Sequence, residues 1–368
     1  MQKIAATMNH DRPWIPCERC LTLLLATLFL LWQNAGAYAD ETLTWDKLPS
    51  LPDLHGFAGP FVGSHHDALL IAGGANFPQK KPWDGGSKVW YDTVFLLERP
   101  DGKWKVAGKL PQPLAYGVSL STNDGIVCIG GSDANRHYAD VFLLRWENGE
   151  LKTTVLPSLP KRCANFCGAI LGSTILVAGG IESPSATEAL KTFWSLELGS
   201  LTPQWHALEA WPGPARMLSV AAVQDNAFFL AGGVDLKADT KGKPIRNYLR
   251  DAYRYKPDHG WTRIADLPGP SAAAPSPAPV MEPSSFLVLG GDDGSLVDFK
   301  PLEKHPGFPK TLWAYNTKSN NWRAAGEMPS AQVTTTMTFW RDQFVMPTGE
   351  VRPGVRTPEV WAIRPAAK

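Results

Sequence analysis

A double glycine closing an apolar run recurs along this chain, and that repeat decides what the chain can fold into. LLIAGG ends at Gly73-Gly74, IVCIGG at Gly130-Gly131, ILVAGG at Gly179-Gly180, FFLAGG at Gly232-Gly233 and FLVLGG at Gly290-Gly291. A sixth, degenerate copy, FVMPTG, ends at Gly349. The first glycine returns after 57, 49, 53 and 58 residues. Two further marks keep step. After each pair comes a second apolar or aromatic run: TVFLL, DVFLL, TFWSL, DAYRY, TLWAY and EVWAI. A tryptophan then follows at Trp104, Trp205, Trp261 and Trp322, before a proline turn; the unit around Lys152 lacks the tryptophan but keeps LPSLP.

Each unit reads as a meander of about four short strands. A nearly continuous apolar run before GG suits a strand buried on both faces. The glycines end it where side chains would collide. The tryptophan supplies a broad plate between neighbouring sheets. One such sheet cannot bury two apolar faces alone, so units must stack, and a ring leaves no end unit bare. Composition agrees: 33 Gly, 32 Pro and 15 Trp favour turns and short strands over helices. The pattern resembles the Kelch repeat, with about fifty residues per unit. The expected fold is all-β, a six-bladed Kelch-type β-propeller. Its sixth unit stops after EVWAI without an outer tryptophan strand, while TLTWDKLP (42–49) supplies one. Residues near 42–48 are therefore expected to complete the last blade, rather than hang as an arm that leaves a bare edge.

The first residues read as an export signal. Lys3, Arg12 and Arg19 outnumber Asp11 and Glu18, the apolar run Leu21–Leu31 follows, and Ala37-Tyr38-Ala39 gives a small-x-small cleavage pattern before Asp40. The alternative, an uncleaved anchor, needs about 20 apolar residues to span a bilayer. The division is residues 1–39 as signal peptide and 40–368 as propeller, periplasmic or secreted, with no membrane partner after cleavage. Charge excludes another class: 36 basic against 35 acidic side chains leave +1, without the basic stripe that nucleic acid requires. Oligomeric state is not written in the sequence.

Cys17 and Cys20 leave with the signal, so their CxxC spacing carries little. On one strand Cys163 and Cys167 would lie about 13 Å apart, too far for a disulfide; buried free thiols are expected. No GxSxG elbow, HExxH or P-loop is present. On a strand His65 and His66 would face opposite ways, and Asp292-Asp293-Gly294-Ser295 lacks the rest of a calcium loop. No metal is expected.

Loops after GG should gather at one mouth of the channel. Three are long: Ala75–Asp92, Val234–Arg250 and Asp292–Lys310. Such loops carry function or form a packed cap over the pore. The segment Gly349-Glu350-Val351-Arg352-Pro353-Gly354-Val355-Arg356-Thr357 fills the degenerate sixth GG loop, where a Pro-Gly turn brings Arg356 back beside Glu350. Taken alone, the pair reads first as a surface ion pair of little worth.

This GExRPGxRT segment closely resembles the active-site motif of the periplasmic N-acetylneuraminate epimerases (sialic acid mutarotases), themselves Kelch propellers. GGANFP (73–78) and GKWKVAGKLPQPLAYGVSL (102–120) match as well, with Leu114 where the family typically has Arg. The family places its GE-PG-RT segment before GGA-F, whereas here it comes near the C-terminus, so the chain looks cyclically permuted. The resemblance puts the catalytic Glu on Glu350 and the catalytic Arg on Arg356. It implies a cofactor-free mutarotase of sialic acid. One carboxyl group exchanges protons with the opening ring, and a guanidinium grips the sugar acid's carboxylate. Arg162 and Arg216, after proline turns, and the loop residues Asn76 and Arg352 are candidates for substrate binding; blade-to-blade hydrogen bonding is the alternative for all four. A non-catalytic module binding protein or glycan, and a mutarotase of another sugar acid, are the competing functions.

Overall fold

A computed structural model describes residues 43–281 and 283–365; the expected export signal lies outside them. Six four-stranded antiparallel sheets form a six-bladed β-propeller. Blade 1 comprises Phe61–His65, Ala68–Ala72, Thr93–Leu97 and Lys105–Lys109, from channel to rim. Blade 2 is Val118–Thr122, Gly125–Ile129, Val141–Glu147 and Glu150–Leu156, and blade 3 is Cys167–Leu171, Thr174–Ala178, Phe193–Glu197 and Trp205–Ala207. Blade 4 is Val220–Gln224, Ala227–Ala231, Ala252–Lys256 and Gly260–Ile264, and blade 5 is Val280–Met281, Ser285–Leu289, Thr311–Asn316 and Asn321–Glu327. Blade 6 takes Thr338–Trp340, Gln343–Pro347 and Val360–Pro365 from the C-terminal end and Leu43–Leu48 from the N-terminal end. That strand closes the blade as expected, pairing from Leu43↔Pro365 to Leu48↔Val360.

The second strand of each blade is the apolar run before GG. Ala68–Ala72, Gly125–Ile129 and Ala227–Ala231 are buried throughout, because neighbouring sheets cover both faces. The first glycine of each pair turns with positive φ against a backbone carbonyl: a Cβ at Gly179 would lie 2.2 Å from the Arg216 oxygen. Tryptophans in or just before the outer strands act as rivets. Trp104, Trp205, Trp261 and Trp322 donate their indole N–H groups to carbonyls of Pro49, Pro157, Glu209 and Ala265. Each acceptor lies just beyond the outer strand of the preceding blade, so every rivet ties one sheet to the next.

The channel is ringed by backbone. Gly59, Tyr116, Asn165, Leu218, Ala273 and Thr334, one just before each innermost strand, all have φ between 55° and 64°. Each donates its N–H to the carbonyl of its counterpart in the neighbouring blade, closing a circle of bonds 2.7–2.9 Å long. The circle and the first residues of the innermost strands line a cavity of about 60 Å³.

Two local expectations meet different outcomes. Cys128, Cys163 and Cys167 are buried free thiols, and burial pushes the Cys167 thiol up to about 12. His65 and His66 do not face opposite ways. The strand ends at His65, His66 turns with φ 45°, and their rings stack at 3.9 Å. No helix among the described residues is long and apolar enough to cross a membrane.

Candidate active site

The residue after each glycine pair is bridged to the segment before its own innermost strand. The pairs are Ala58↔Ala75, Ala115↔Ser132, Ala164↔Ile181, Met217↔Val234, Ala272↔Asp292 and Val333↔Glu350. Glu350 thus occupies a backbone place that every blade has, held by N–H···O bonds of 2.8 and 2.9 Å to and from Val333. The fold fixes the position, and blade 6 alone puts Glu there.

From that place the chain makes a tight hairpin, Glu350–Arg352 and Val355–Arg356, turning through Gly354 at φ 80°. Glu350 and Arg356 are direct register partners, so their side chains share a face. Arg356 Nη1 lies 3.2 Å from Glu350 Oε1, with the side chains 3% and 18% exposed. Glu350 Oε1 also accepts the Gly354 N–H at 2.6 Å, which orients the carboxyl group. The guanidinium is not used up: its buried Nε has no hydrogen-bonded acceptor, and Nη1 meets the Glu350 carboxylate as an ion pair without hydrogen-bond geometry. Such groups cost about 1–3 kcal/mol each when unsatisfied, and a ligand oxygen is the natural acceptor.

Neighbouring loops hold the hairpin. The Phe77 ring lies 4.9 Å from the Arg356 guanidinium. Pro82 and Trp83 press on Gly354, where a Cβ would lie 2.8 Å from the proline ring. Arg352 packs over Trp83 at 5.8 Å and donates to the Glu303 carbonyl at 2.6 Å. Burial, then the charges of Arg356 and Arg352, hold the Lys81 ammonium below its ordinary value. The mouth beside Glu350 is therefore electropositive and suits an anion.

Glu350, Arg356 and Arg352 come together on this one hairpin; the other three candidates have different surroundings. Asn76 has no exposed surface, and its amide is taken up by Asp53, Gly56 and Tyr91. It holds the blade 1 entry loop in place. Arg216 follows the blade-to-blade alternative. It is fully buried between blades 3 and 4, paired with Asp251 at 2.7 Å, bonded to the Gly232 carbonyl, and flanked by Trp211 and Tyr253. Arg162 is exposed on the blade 3 side, in an open depression with Glu182 and Glu188.

The three long loops divide between roles. Val234–Ala238 and Pro244–Tyr248 pair into a hairpin whose Val234 and Leu236 join Ile181, Met217 and Ala272 in a buried cluster, a packed cap. Asp292 and Asp293 cap their own turn through Gly294 and Ser295. Asp292 also accepts the Tyr248 hydroxyl at 3.0 Å; burial, then that carboxylate, pushes Tyr248 up to about 12. The blade 1 loop sets Phe77, Pro82 and Trp83 against the hairpin. It carries Lys88 and Trp90, and Tyr116 of blade 2 meets it. Sequence reasoning singled out none of these three, although Tyr116 stands within the matching AYGVS stretch; a lysine in a polar loop carries no signal until the rings around it are known.

Sequence comparison with known proteins bears on one third of the chain. The N-acetylneuraminate epimerase family model matches residues 32–153. N-acetylneuraminate epimerase of Yersinia enterocolitica serotype O:8 / biotype 1B is 36% identical over 137 residues, covering 33% of this chain and 34% of that protein. Its counterpart from Brucella suis is 38% identical over 128 residues, covering 30% and 32%. The match thus spans about a third of the length of these curated relatives, and the family-model match ends well before Glu350. The solved structure of YjhT superposes with a TM-score of 0.63 at 14% identity, covering 85% of this chain and 95% of that one. It is similar to this chain in fold.

Proposed function

We propose that the protein is a mutarotase that interconverts the α and β anomers of N-acetylneuraminate, with Glu350 as proton-exchanging group and Arg356 as carboxylate ligand. One observation carries this reading: a buried guanidinium with spare N–H groups is held against a carboxyl group at the channel mouth. The local identity to N-acetylneuraminate epimerases supports the choice of substrate. Because the family-model match, residues 32–153, takes in blade 1 and most of blade 2 while the hairpin lies near the C-terminal end, we read the protein as a cyclically permuted relative. A ring accommodates this, since any gap between blades can hold the termini.

Anomer exchange asks little of a protein. The anomeric hydroxyl gives up a proton, the ring oxygen receives one, and the carbon–oxygen bond between them opens and recloses. Glu350 can take and return the proton, while the Gly354 N–H keeps its carboxyl group aimed. Arg356 offers a planar fork to the substrate carboxylate. Residues 1–39 are read as an export signal, so the protein works in the periplasm or outside the cell on a free sugar acid.

NMR of freshly dissolved α-N-acetylneuraminate tests the activity directly. The expected result is faster approach to anomeric equilibrium with pure protein, and an unchanged rate refutes the reading. Glu350→Gln should slow the catalysed exchange by about 10²–10⁴-fold, the usual worth of a positioned acid–base group. Full activity in that variant would remove Glu350 from its role and leave the activity standing.

A further inference from the structure

Lys88 lies opposite Phe77 on the long blade 1 loop, just beyond the paired Ala75–Asn76 and Val89–Trp90. Its ammonium faces three rings at once: Phe77 at 5.8 Å, Trp90 at 5.5 Å and Tyr116 at 5.2 Å from the centroids. Among the described residues no carboxylate pairs with it. Aromatic faces on several sides hold such a cation in place and strip part of its water. Two more donors stand spare here, the Trp90 indole N–H and the Tyr116 hydroxyl, both buried without a hydrogen-bond partner. Phe77 also touches the Arg356 guanidinium, at 4.9 Å. One phenyl ring therefore has two clusters of unsatisfied donors against it, each built around a cation.

The chemistry proposed above asks for such a pair. In a 2-keto sugar acid the anomeric carbon carries both a carboxylate and a hydroxyl, and the anomers exchange the two positions. On opening, the hydroxyl proton passes to the carboxylate of Glu350, and the electron pair of the bond to the ring oxygen goes to that oxygen, which takes up a proton. The anomeric carbon becomes a ketone. Rotation about the adjacent carbon–carbon bond offers the other carbonyl face, and the freed hydroxyl adds back, losing its proton as the ketone oxygen gains one. Atoms and charge balance without a co-reactant. With the sugar ring held in place, however, the carboxylate begins on one side and ends on the other, out of reach of a single buried guanidinium.

The geometry points to two carboxylate docks: Arg356 for one anomer, and Lys88 with Trp90 and Tyr116 for the other, with the Phe77 ring between them. This rests on the mutarotase reading. Methyl α- and β-glycosides of N-acetylneuraminate test it, because a methylated anomeric oxygen cannot open and fixes the carboxylate on one side. By calorimetry, Lys88→Gln should weaken one glycoside by at least about tenfold and leave the other nearly unchanged; Lys88→Arg should restore the first. With the free sugar, exchange NMR should find kcat/KM lowered equally in both directions, since the equilibrium constant fixes their ratio, but KM raised for one anomer only. Equal weakening of both glycosides and both KM values, or of neither, in a protein whose wild type accelerates exchange overturns the two docks alone. A wild type that binds neither glycoside and leaves the exchange rate untouched overturns the mutarotase reading and the docks with it.

Discussion

Thr348 shows at the scale of one residue how the sixth blade differs from the other five. It stands where they have the first glycine of the pair, and it keeps the same left-handed turn at φ 49° with no exposed surface. A β-branched residue there is strained, by about 1–3 kcal/mol. Its hydroxyl offsets the strain: it accepts the Phe57 N–H at 2.6 Å and lies 3.0 and 2.7 Å from the Phe57 and Thr357 carbonyls. Phe57 belongs to the blade 1 entry loop and Thr357 follows Arg356, so one side chain anchors the far end of the Glu350 hairpin. Thr348→Val keeps the strain and leaves the Phe57 N–H without an acceptor. It should lose about 1–3 kcal/mol in denaturant unfolding. Thr348→Gly releases the strain and should lose less, while Thr348→Ser should stay near wild type. Catalysed exchange should fall in both Val and Gly variants; full activity in Thr348→Gly would mean that the hairpin needs no such anchor.

At the scale of elements, contacts between blades decide what could be read in advance. The apolar runs, the glycine pairs and the tryptophan plates are local marks, and they foretold four-stranded units in the right order. What escaped the sequence lies between units. The indole acceptors sit 48 to 57 residues from their tryptophans. Arg216 follows a proline turn just as Arg162 does, yet Asp251, 35 residues on, claims it. The hairpin of Glu350 and Arg356 was legible because a Pro-Gly turn set its register. Lys88 was not, because its rings come from two blades. The histidine pair belongs to this class of contact. His65 Nδ1 of blade 1 accepts the Trp146 N–H of blade 2 at 3.1 Å, with His66, Glu147, Arg145, Asp67 and Arg341 around the two rings. Burial, then His66, holds His65 below its ordinary value of 6.5. The unfolded chain therefore takes up the proton first, so stability falls as pH drops through 6.5 and levels off only below the folded-state value. His137, also lowered chiefly by burial, adds to the same slope. The thermal midpoint should fall between roughly pH 7 and 5, above the range of the carboxylates, and His65→Gln should flatten part of that fall. An unchanged slope in the variant would show that the bond from Trp146 tolerates the proton.

The whole molecule depends on one seam. Six sheets bury their faces only while the ring is closed, and closure is made by Leu43–Leu48 adding to a blade whose other strands lie some three hundred residues away. Besides the ladder, Trp45 meets Trp361 edge to face with centroids 6.5 Å apart, Lys47 reaches Glu359 at 2.6 Å, and Pro49 receives the Trp104 rivet of blade 1. The proposed site is beside this seam, since Glu350, Arg356 and Thr348 precede the strand that Leu43–Leu48 pairs with. A chain beginning at Leu51 should keep five complete blades but expose the edge of Val360–Pro365, and bare edges recruit other strands. Its thermal midpoint should drop on the order of 10 °C, with a rise in aggregation on heating. A synthetic peptide of residues 40–49 should pair with the bare edge and recover most of the loss, as strand addition does elsewhere. The peptide should also restore catalysed exchange if the hairpin depends on closure, because Glu359 and Val360 link the ladder directly to the loop. A truncated chain with the full-length midpoint would mean that blade-to-blade packing alone holds the ring, and that the N-terminal strand only covers its edge.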